Sequence, residues 1–567
     1  MASFLISKNG RRNCLDIFRK VTPPLTAARV VGLLFLVSAL SAQVSEPGLS
    51  YGFPQDWSHS HVIFHPFSSW EEVQALGTEP RVTHQALRRL QTYLHPTNAA
   101  PQSADDAEIQ PTETHRDWSV SLGTGRVPAG MSPAKYTFDP TTAKCTDWAV
   151  FGLNVAGTTG GQGNMVAYKN LYSGTSGLCG SSGPTTQFSY NITTVTNGRV
   201  LTSPVISLDG KKIAFVESGN TATVFHVLTW KSGAGNGTSS TNSAFPGVGN
   251  SATMVSITLT STATDTRSSP WIDYIGDIAY VGANTGRVYK ITGVFNGTPT
   301  LAGAPWPVLL RNAANLTAPV QDNVTHNIFV GDQLGTLYSV NSSTGTVASA
   351  QIGLTTGTNP AIRDAPIVDS QNGGVFVQSA NDGTSAVIVQ LKTTNLAQLQ
   401  KVRLGRGSST GTTVNMYNGA FNNAYYTLPS SGTMFVCGTG AADTTPWGYT
   451  LGFTGTTLKS TPISQTQLVN STASRCSEIT EFFNPNISGG TDYFFLGLTT
   501  GCIPASGAGC VMSRPSPGSV LTVSETGGTS AIIVDNYSTA GQASSIYFTN
   551  LGGNPAQAVK LTQNGLQ

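Results

Sequence analysis

The sequence predicts an all-β protein: a single eight-bladed β-propeller, with seven blades as the alternative count, preceded by a short irregular or helical N-terminal segment. Three observations predict it. The composition is that of short strands joined by tight turns. A strand-rich unit opened by a small residue and proline recurs along most of the chain. The two ends of that array carry segments that look like parts of one unit.

The chain has 567 residues, of which 11% are charged, where soluble domains usually carry roughly 25%. Gly is abundant at 62 residues, and Ser, Thr and Asn crowd between apolar runs, as turns require. Val, Ile, Phe and Tyr recur throughout, so the chain can bury a core and does not read as disordered. The formal net charge is +2, from 31 basic and 29 acidic residues. That balance, with no basic stripe among aromatics, argues against a nucleic-acid partner.

The repeat begins near Asp117. Its openings are Ser132-Pro133 with Asp139, Ser203-Pro204 with Asp209, Ser269-Pro270 with Asp273, Ala318-Pro319 with Asp322 and Ala365-Pro366 with Asp369. Each leads into a more apolar strand: Trp148–Asn154, Lys212–Glu217, Asp277–Gly282, Asn327–Gly331 and Gly374–Gln378. Three more degraded copies follow, at Thr433–Cys437 with Trp447–Phe453, Asp492–Leu498 with Cys510–Ser513, and Ser545–Asn550 with Ala558–Thr562. A period of about 47 to 71 residues built from strands reads as propeller blades of four antiparallel strands. The last copy lacks a fourth strand of its own, and Trp118–Leu122, where Trp118, Val120 and Leu122 alternate with Ser119 and Ser121, is expected to supply it.

Ahead of the array, residues 1–42 read as a signal peptide, or an uncleaved anchor. Arg11, Arg12, Arg19, Lys20 and Arg29 precede an apolar run, Val30 to Leu40, with Ser41 and Ala42 after it; a run of about eleven residues suits a signal h-region rather than a bilayer span. Residues 43–115 form a His-rich segment and linker, with a helical piece expected from Glu71 to Leu94. Residues 116–567 form the propeller. Cysteine usage agrees with an oxidising compartment. Six cysteines follow Cys14: Cys145, Cys179, Cys437, Cys476, Cys502 and Cys510. Their number suggests disulfides, and pairing between chain neighbours is the simplest of the open connectivities. The expected location is exported: periplasmic, outer-surface or secreted.

The stretch Ile328-Phe329-Val330-Gly331-Asp332-Gln333-Leu334-Gly335-Thr336-Leu337-Tyr338-Ser339-Val340-Asn341-Ser342-Ser343-Thr344-Gly345 resembles the PQQ-like repeat of quinoprotein-type β-propellers, and Arg267–Thr292 resembles it less fully. The resemblance implies eight blades. It does not carry the oxidoreductase activity over. Ser349 stands where the family's docking repeat has a tryptophan. There is no adjacent cysteine pair, and no Asp base with an Asn/Glu calcium set. These departures point to the non-catalytic, exported bacterial branch, and no cofactor is expected.

Candidate sites are few. His59 and His61 alternate around Ser60, so on a strand both rings would share a face; with His65, and with Asp56 just before, they form a candidate zinc or copper set. The bland alternative is a segment docked on the propeller by Trp57, Phe64 and Phe67. The recurring Asp139, Asp209, Asp273, Asp322 and Asp369 read as turn residues rather than a catalytic ring. His226 lies in an apolar strand and reads as core. No Gly-x-Ser-x-Gly elbow, P-loop or His-Glu-x-x-His motif is present. The function expected is a monomeric binding or scaffold propeller of the bacterial envelope or exterior. Its partner would be a protein or glycan, with no nucleic acid and no transmembrane domain in the mature chain. The alternative is a diverged propeller enzyme: a quinoprotein oxidoreductase, a hydrolase or a lyase.

Overall fold

The computed structural model describes residues 52–64, 79–86 and 114–563, apart from short stretches at 140–141, 175–176, 233–234, 248, 250–251, 262–265, 355–360, 409–413, 485–489, 504–507, 517, 536–541 and 543. The segment expected to be a signal peptide, His65, Phe67 and most of the helix expected from Glu71 to Leu94 lie outside the described residues. Within that helix, residues 80–86 are helical.

Eight sheets, antiparallel apart from one added N-terminal strand, follow one another along the chain. Each opens with a short inner strand: Ala134–Thr137, Val205–Ile206, Trp271–Asp273, Val320–Gln321, Ile367–Asp369, Ala420–Phe421, Thr480–Asn484 and Ile533–Asp535. The second strands are apolar on both sides because both faces of a blade pack on neighbours. Trp148–Gly152, Thr491–Leu498 and Ser545–Thr549 are buried along their whole length. The outer strands meet solvent, as at Val347–Gln351 and Ser464–Gln467. The eight-bladed reading of the repeat therefore holds, degraded copies included.

The ring closes with an N-terminal strand. Thr114–Ser121 pairs antiparallel with Gln557–Gln563, which continues through Ser545–Thr549 to Ile533–Asp535. Trp118 and Leu122 are buried, and the Trp118 indole N–H donates to the Leu171 carbonyl at 2.9 Å. A register shift between Arg116 and Trp118 leaves Asp117 as the extra residue of a β-bulge. Its carboxylate meets Lys560 Nζ at 2.6 Å, both side chains fully buried. Lys135 Nζ lies 3.1 Å from Asp535, and the Tyr172 hydroxyl lies 2.9 Å from Asp147 and 3.0 Å from Asp535. Burial pulls the Lys560 ammonium below its usual range, opposed by Asp117. The two ends of the propeller chain thus share one sheet, and a buried polar network joins that last blade to the first.

The disulfides are Cys145–Cys179, Cys437–Cys476 and Cys502–Cys510, chain neighbours in each case. The first lies in blade 1, the second bridges blade 6 to the start of blade 7, and the third lies within blade 7.

Four of the five recurring aspartates cap turns, and the fifth, Asp139, lies 3.3 Å from Lys144 Nζ. Asp209 Oδ1 accepts from Lys211 N, Asp273 Oδ1 from Ile275 N and Gly276 N, Asp322 Oδ1 from Val324 N, and Asp369 Oδ1 from Asn372 N. His226 is buried in its strand, 2.8 Å from the buried Glu217 carboxylate.

Candidate functional site

The small residue of each Ser-Pro or Ala-Pro opening faces the centre of the ring. Ser132 N donates to Ser203 Oγ at 2.9 Å, and Ser203 N donates to Ser269 Oγ at the same distance. Serine at these places lets blades approach closely and still pairs the backbone N–H groups turned toward the axis. The residue just before it is a hydroxyl in several blades and caps the neighbouring strand. Thr202 Oγ1 accepts from Val216 N, Ser268 Oγ from Gly282 N, Thr317 Oγ1 from Gly331 N, Ser477 Oγ from Gly497 N, and Ser530 Oγ from Thr549 N.

The channel these openings surround is occupied by the chain itself. Phe53–Gln55 pairs antiparallel with the inner strand of blade 1, and Val62–Ile63 pairs parallel with the inner strand of blade 5. Those blades stand four apart in a ring of eight, so residues 52–64 cross from one side of the ring to the other. Between the two strands lies a 3-10 turn, Trp57–Ser60, started by Asp56, whose carboxylate accepts from Ser58 N at 2.8 Å. His59, Ser60 and His61 therefore lie in and at the end of a turn rather than on a strand, because Asp56 ends the extended backbone at a cap. Gln55 Nε2 donates to Val534 O of blade 8 at 2.8 Å, and Trp57 Nε1 donates to Pro270 O of blade 3 at 3.2 Å. Residues 79–86 are buried as well. Arg81 stacks 3.7 Å over Trp271 and donates to Ile272 O at 2.6 Å. Gln85 accepts from Phe64 N and donates to Val62 O. We refer to residues 52–64 and 79–86 together as the plug; they form part of the propeller's interior rather than an appendage docked on its surface.

The turn separates the two described histidines of the candidate metal set. His59 Nδ1 lies 3.1 Å from Asp56 N, and its ring packs on Phe53 and His84. His61 packs edge-on against Trp57 and is fully buried. His61 Nε2 lies 3.1 Å from Glu478 Oε1 and 4.0 Å from Asp364 Oδ1, while Nδ1 lies 3.3 Å from Pro366 O. Among the described residues, His61, Asp364 and Glu478 are the group whose potential ligand atoms all lie within 4.8 Å of one another. Burial alone would lower the His61 pKa, but the bond to Glu478 and the fields of Asp364 and Glu478 outweigh it and push it up to about 9. Burial, then the Glu478 carboxylate, raises Asp364.

Sequence reasoning found His61 but neither of its partners. The available signal was a departure from the repeat. Glu478 follows the capping Ser477 and so takes the place held by Ser203, Ser269 and Ala318. Asp364 precedes Ala365 and so takes the place of Thr202, Ser268 and Thr317. Two blades thus put a carboxylate where others put a small or hydroxyl residue, and these two meet His61. A small cavity adjoins them, lined also by Met131, Arg267 and Arg363. A second cavity, of about 50 Å³, is bounded by residues that include His59, His84, Phe421, Tyr426 and Glu481.

No protein-family model and no curated protein matches the chain. Among solved structures, BamB from Moraxella catarrhalis aligns at 13% identity with a TM-score of 0.42, over 79% of this chain and 99% of that one. Sqt1 from Saccharomyces cerevisiae aligns at 10% identity with a TM-score of 0.45, over 79% and 99%. A putative 6-phosphogluconolactonase from Bacteroides fragilis aligns at 10% identity with a TM-score of 0.37, over 66% and 95%. At these values the likenesses add nothing to what the eight sheets establish. No helix among the described residues is long and apolar enough to cross a membrane.

Proposed function

We propose that this chain is an exported propeller that binds a protein partner and acts as a scaffold, meeting that partner through turns on its rim. One observation carries the reading. Ile275 and Val324, 65% and 62% exposed, head the exposed large apolar residues, and both stand two residues after the recurring aspartate, in the same turn of the adjacent blades 3 and 4. Two neighbouring blades thus offer an apolar side chain at one level, the kind of surface partners cover. The channel, where a propeller commonly takes a small ligand, is filled by the plug. Three disulfides fit an oxidising compartment. The test is a pull-down from envelope extract with the wild type and with an Ile275→Asp/Val324→Asp variant of unchanged melting temperature. A partner retained by the first and lost by the second supports the proposal. Equal retention, or robust turnover of a small substrate by the purified protein, overturns it.

A further inference from the structure

We propose that His61, Asp364 and Glu478 bind one divalent first-row metal ion, of the zinc class, which fastens the plug to blades 5 and 7. One imidazole and two carboxylates form an N/O set suited to zinc and its neighbours in the series. Bonds of about 2.0–2.2 Å in a tetrahedral site place ligand atoms about 3.4 Å apart. The separations from His61 Nε2, 3.1 Å to Glu478 and 4.0 Å to Asp364, bracket that value. The fourth position would face the adjoining cavity, where a water completes the shell.

The outer groups are placed as a metal site needs them. A ligating histidine ordinarily gives its other ring N–H to a carbonyl or carboxylate, which fixes the tautomer. The Pro366 carbonyl does so for Nδ1 and turns the Nε2 lone pair toward the two carboxylates. Asp364 is held by Ala365 N and Asn418 N, both at 2.8 Å, and Glu478 Oε1 by the Ser60 hydroxyl at 3.0 Å. Two buried carboxylates facing one imidazole nitrogen need a cation between them. Without metal, that cation is a proton on Nε2, which an incoming ion displaces to solvent. Arg267 and Arg363 line the same cavity, but among the described residues neither pairs with Asp364 or Glu478, and His61 is the cation whose field acts on Asp364. The departures of Asp364 and Glu478 from the blade repeat are an independent sign that these places serve His61. The donors come from three separate parts of the chain, so one ion would tie the plug to two blades.

The test uses the full-length protein, stripped by chelator and titrated with zinc chloride in a calorimeter, with cobalt(II) absorbance as a second probe. One ion per chain is expected, with a rise in melting temperature on adding zinc. His61→Gln, Asp364→Asn and Glu478→Gln should each weaken binding by roughly tenfold or more and abolish that rise. If these variants fail to fold, X-ray absorption at the zinc edge of the wild type decides the matter: a low-coordinate shell of one imidazole and oxygens, with no sulfur, supports the site. Failure of the wild type to bind zinc or cobalt overturns the proposal. So does a sulfur-containing or all-water shell, or full affinity in folded Glu478→Gln. The partner-binding reading survives any of these results, because Ile275 and Val324 take no part in them.

Discussion

Lys560 and Asp117 meet at 2.6 Å with no solvent on either side chain, so neither charge can be removed alone without leaving the other stranded. Lys560→Met is expected to destabilise the fold by roughly 3–5 kcal/mol, read as a lower urea midpoint, and adding Asp117→Asn should recover part of that loss. Full additivity of the two substitutions would show that the pair is not coupled. Glu525 gives the pH test. Burial pushes its carboxyl up from 4.5 to about 7, although Arg116 opposes this; Arg116 is 39% exposed, so water weakens its field. The folded state then holds a proton that the unfolded chain releases. The contribution is full below about 4.5 and is lost as pH rises through about 7. Glu525→Gln should flatten the fall in melting temperature across that window, and an unchanged slope would remove Glu525 as its cause. At this scale the sequence was partly legible. The turn aspartates and the core His226 follow from local rules about caps and apolar strands. The pairing of His61 with Asp364 and Glu478 does not, because no local rule specifies contacts between residues 303 and 417 positions apart in the chain.

The elements that repeat were legible and those that do not were hidden. Inner strands of two or three residues, such as Val205–Ile206, show themselves only because a small residue and proline precede them in blade after blade. The plug has no second copy with which to align. Its strands are three and two residues long, and some of its polar groups, such as Gln55, Trp57 and Arg81, bond to backbone of separate blades, so it reads as an irregular, His-rich segment. Its anchors are nonetheless strong. Trp57 is buried against Trp271 at 6.0 Å between ring centroids, and Trp57→Ala should cost roughly 3–5 kcal/mol in urea unfolding. A change within experimental error would mean that the plug is held elsewhere. The Cys437–Cys476 bridge ties cysteines 39 residues apart, across the junction of blades 6 and 7. Replacing both cysteines by serine should cost roughly 2–4 kcal/mol, mainly by freeing the unfolded chain. A midpoint equal to that of the wild type under oxidising conditions would show the bridge to be dispensable.

A ring of blades has no free edge only if its two chain ends share a sheet, and here the sharing is explicit. Blade 8 takes its inner three strands from Ile533–Asp535, Ser545–Thr549 and Gln557–Gln563, and its outer one from Thr114–Ser121. This closure could be read in advance because Trp118–Leu122 alternates like a strand and the last repeat is one strand short. The filling of the channel could not, because alternation specifies which face of a strand is buried but not what stands at the ring's centre. The two features separate by truncation. Removing residues 1–113 takes away the plug but leaves Thr114–Ser121. The inner edges of blades 1 and 5 lose their added strands, and Asp364 and Glu478 lose His61, yet every blade keeps its own sheet. A folded ring with a lowered melting temperature is expected. Extending the deletion through Gly123 also strips the outer strand from blade 8, uncovers the backbone of Gln557–Gln563 and leaves Lys560 buried without Asp117. An open edge beside an unpaired buried charge should give aggregation, or loss of the cooperative transition, by light scattering and circular dichroism. Identical behaviour of the two truncations would mean that Thr114–Ser121 does not hold the ring shut, and that the stability assigned to closure resides in the plug.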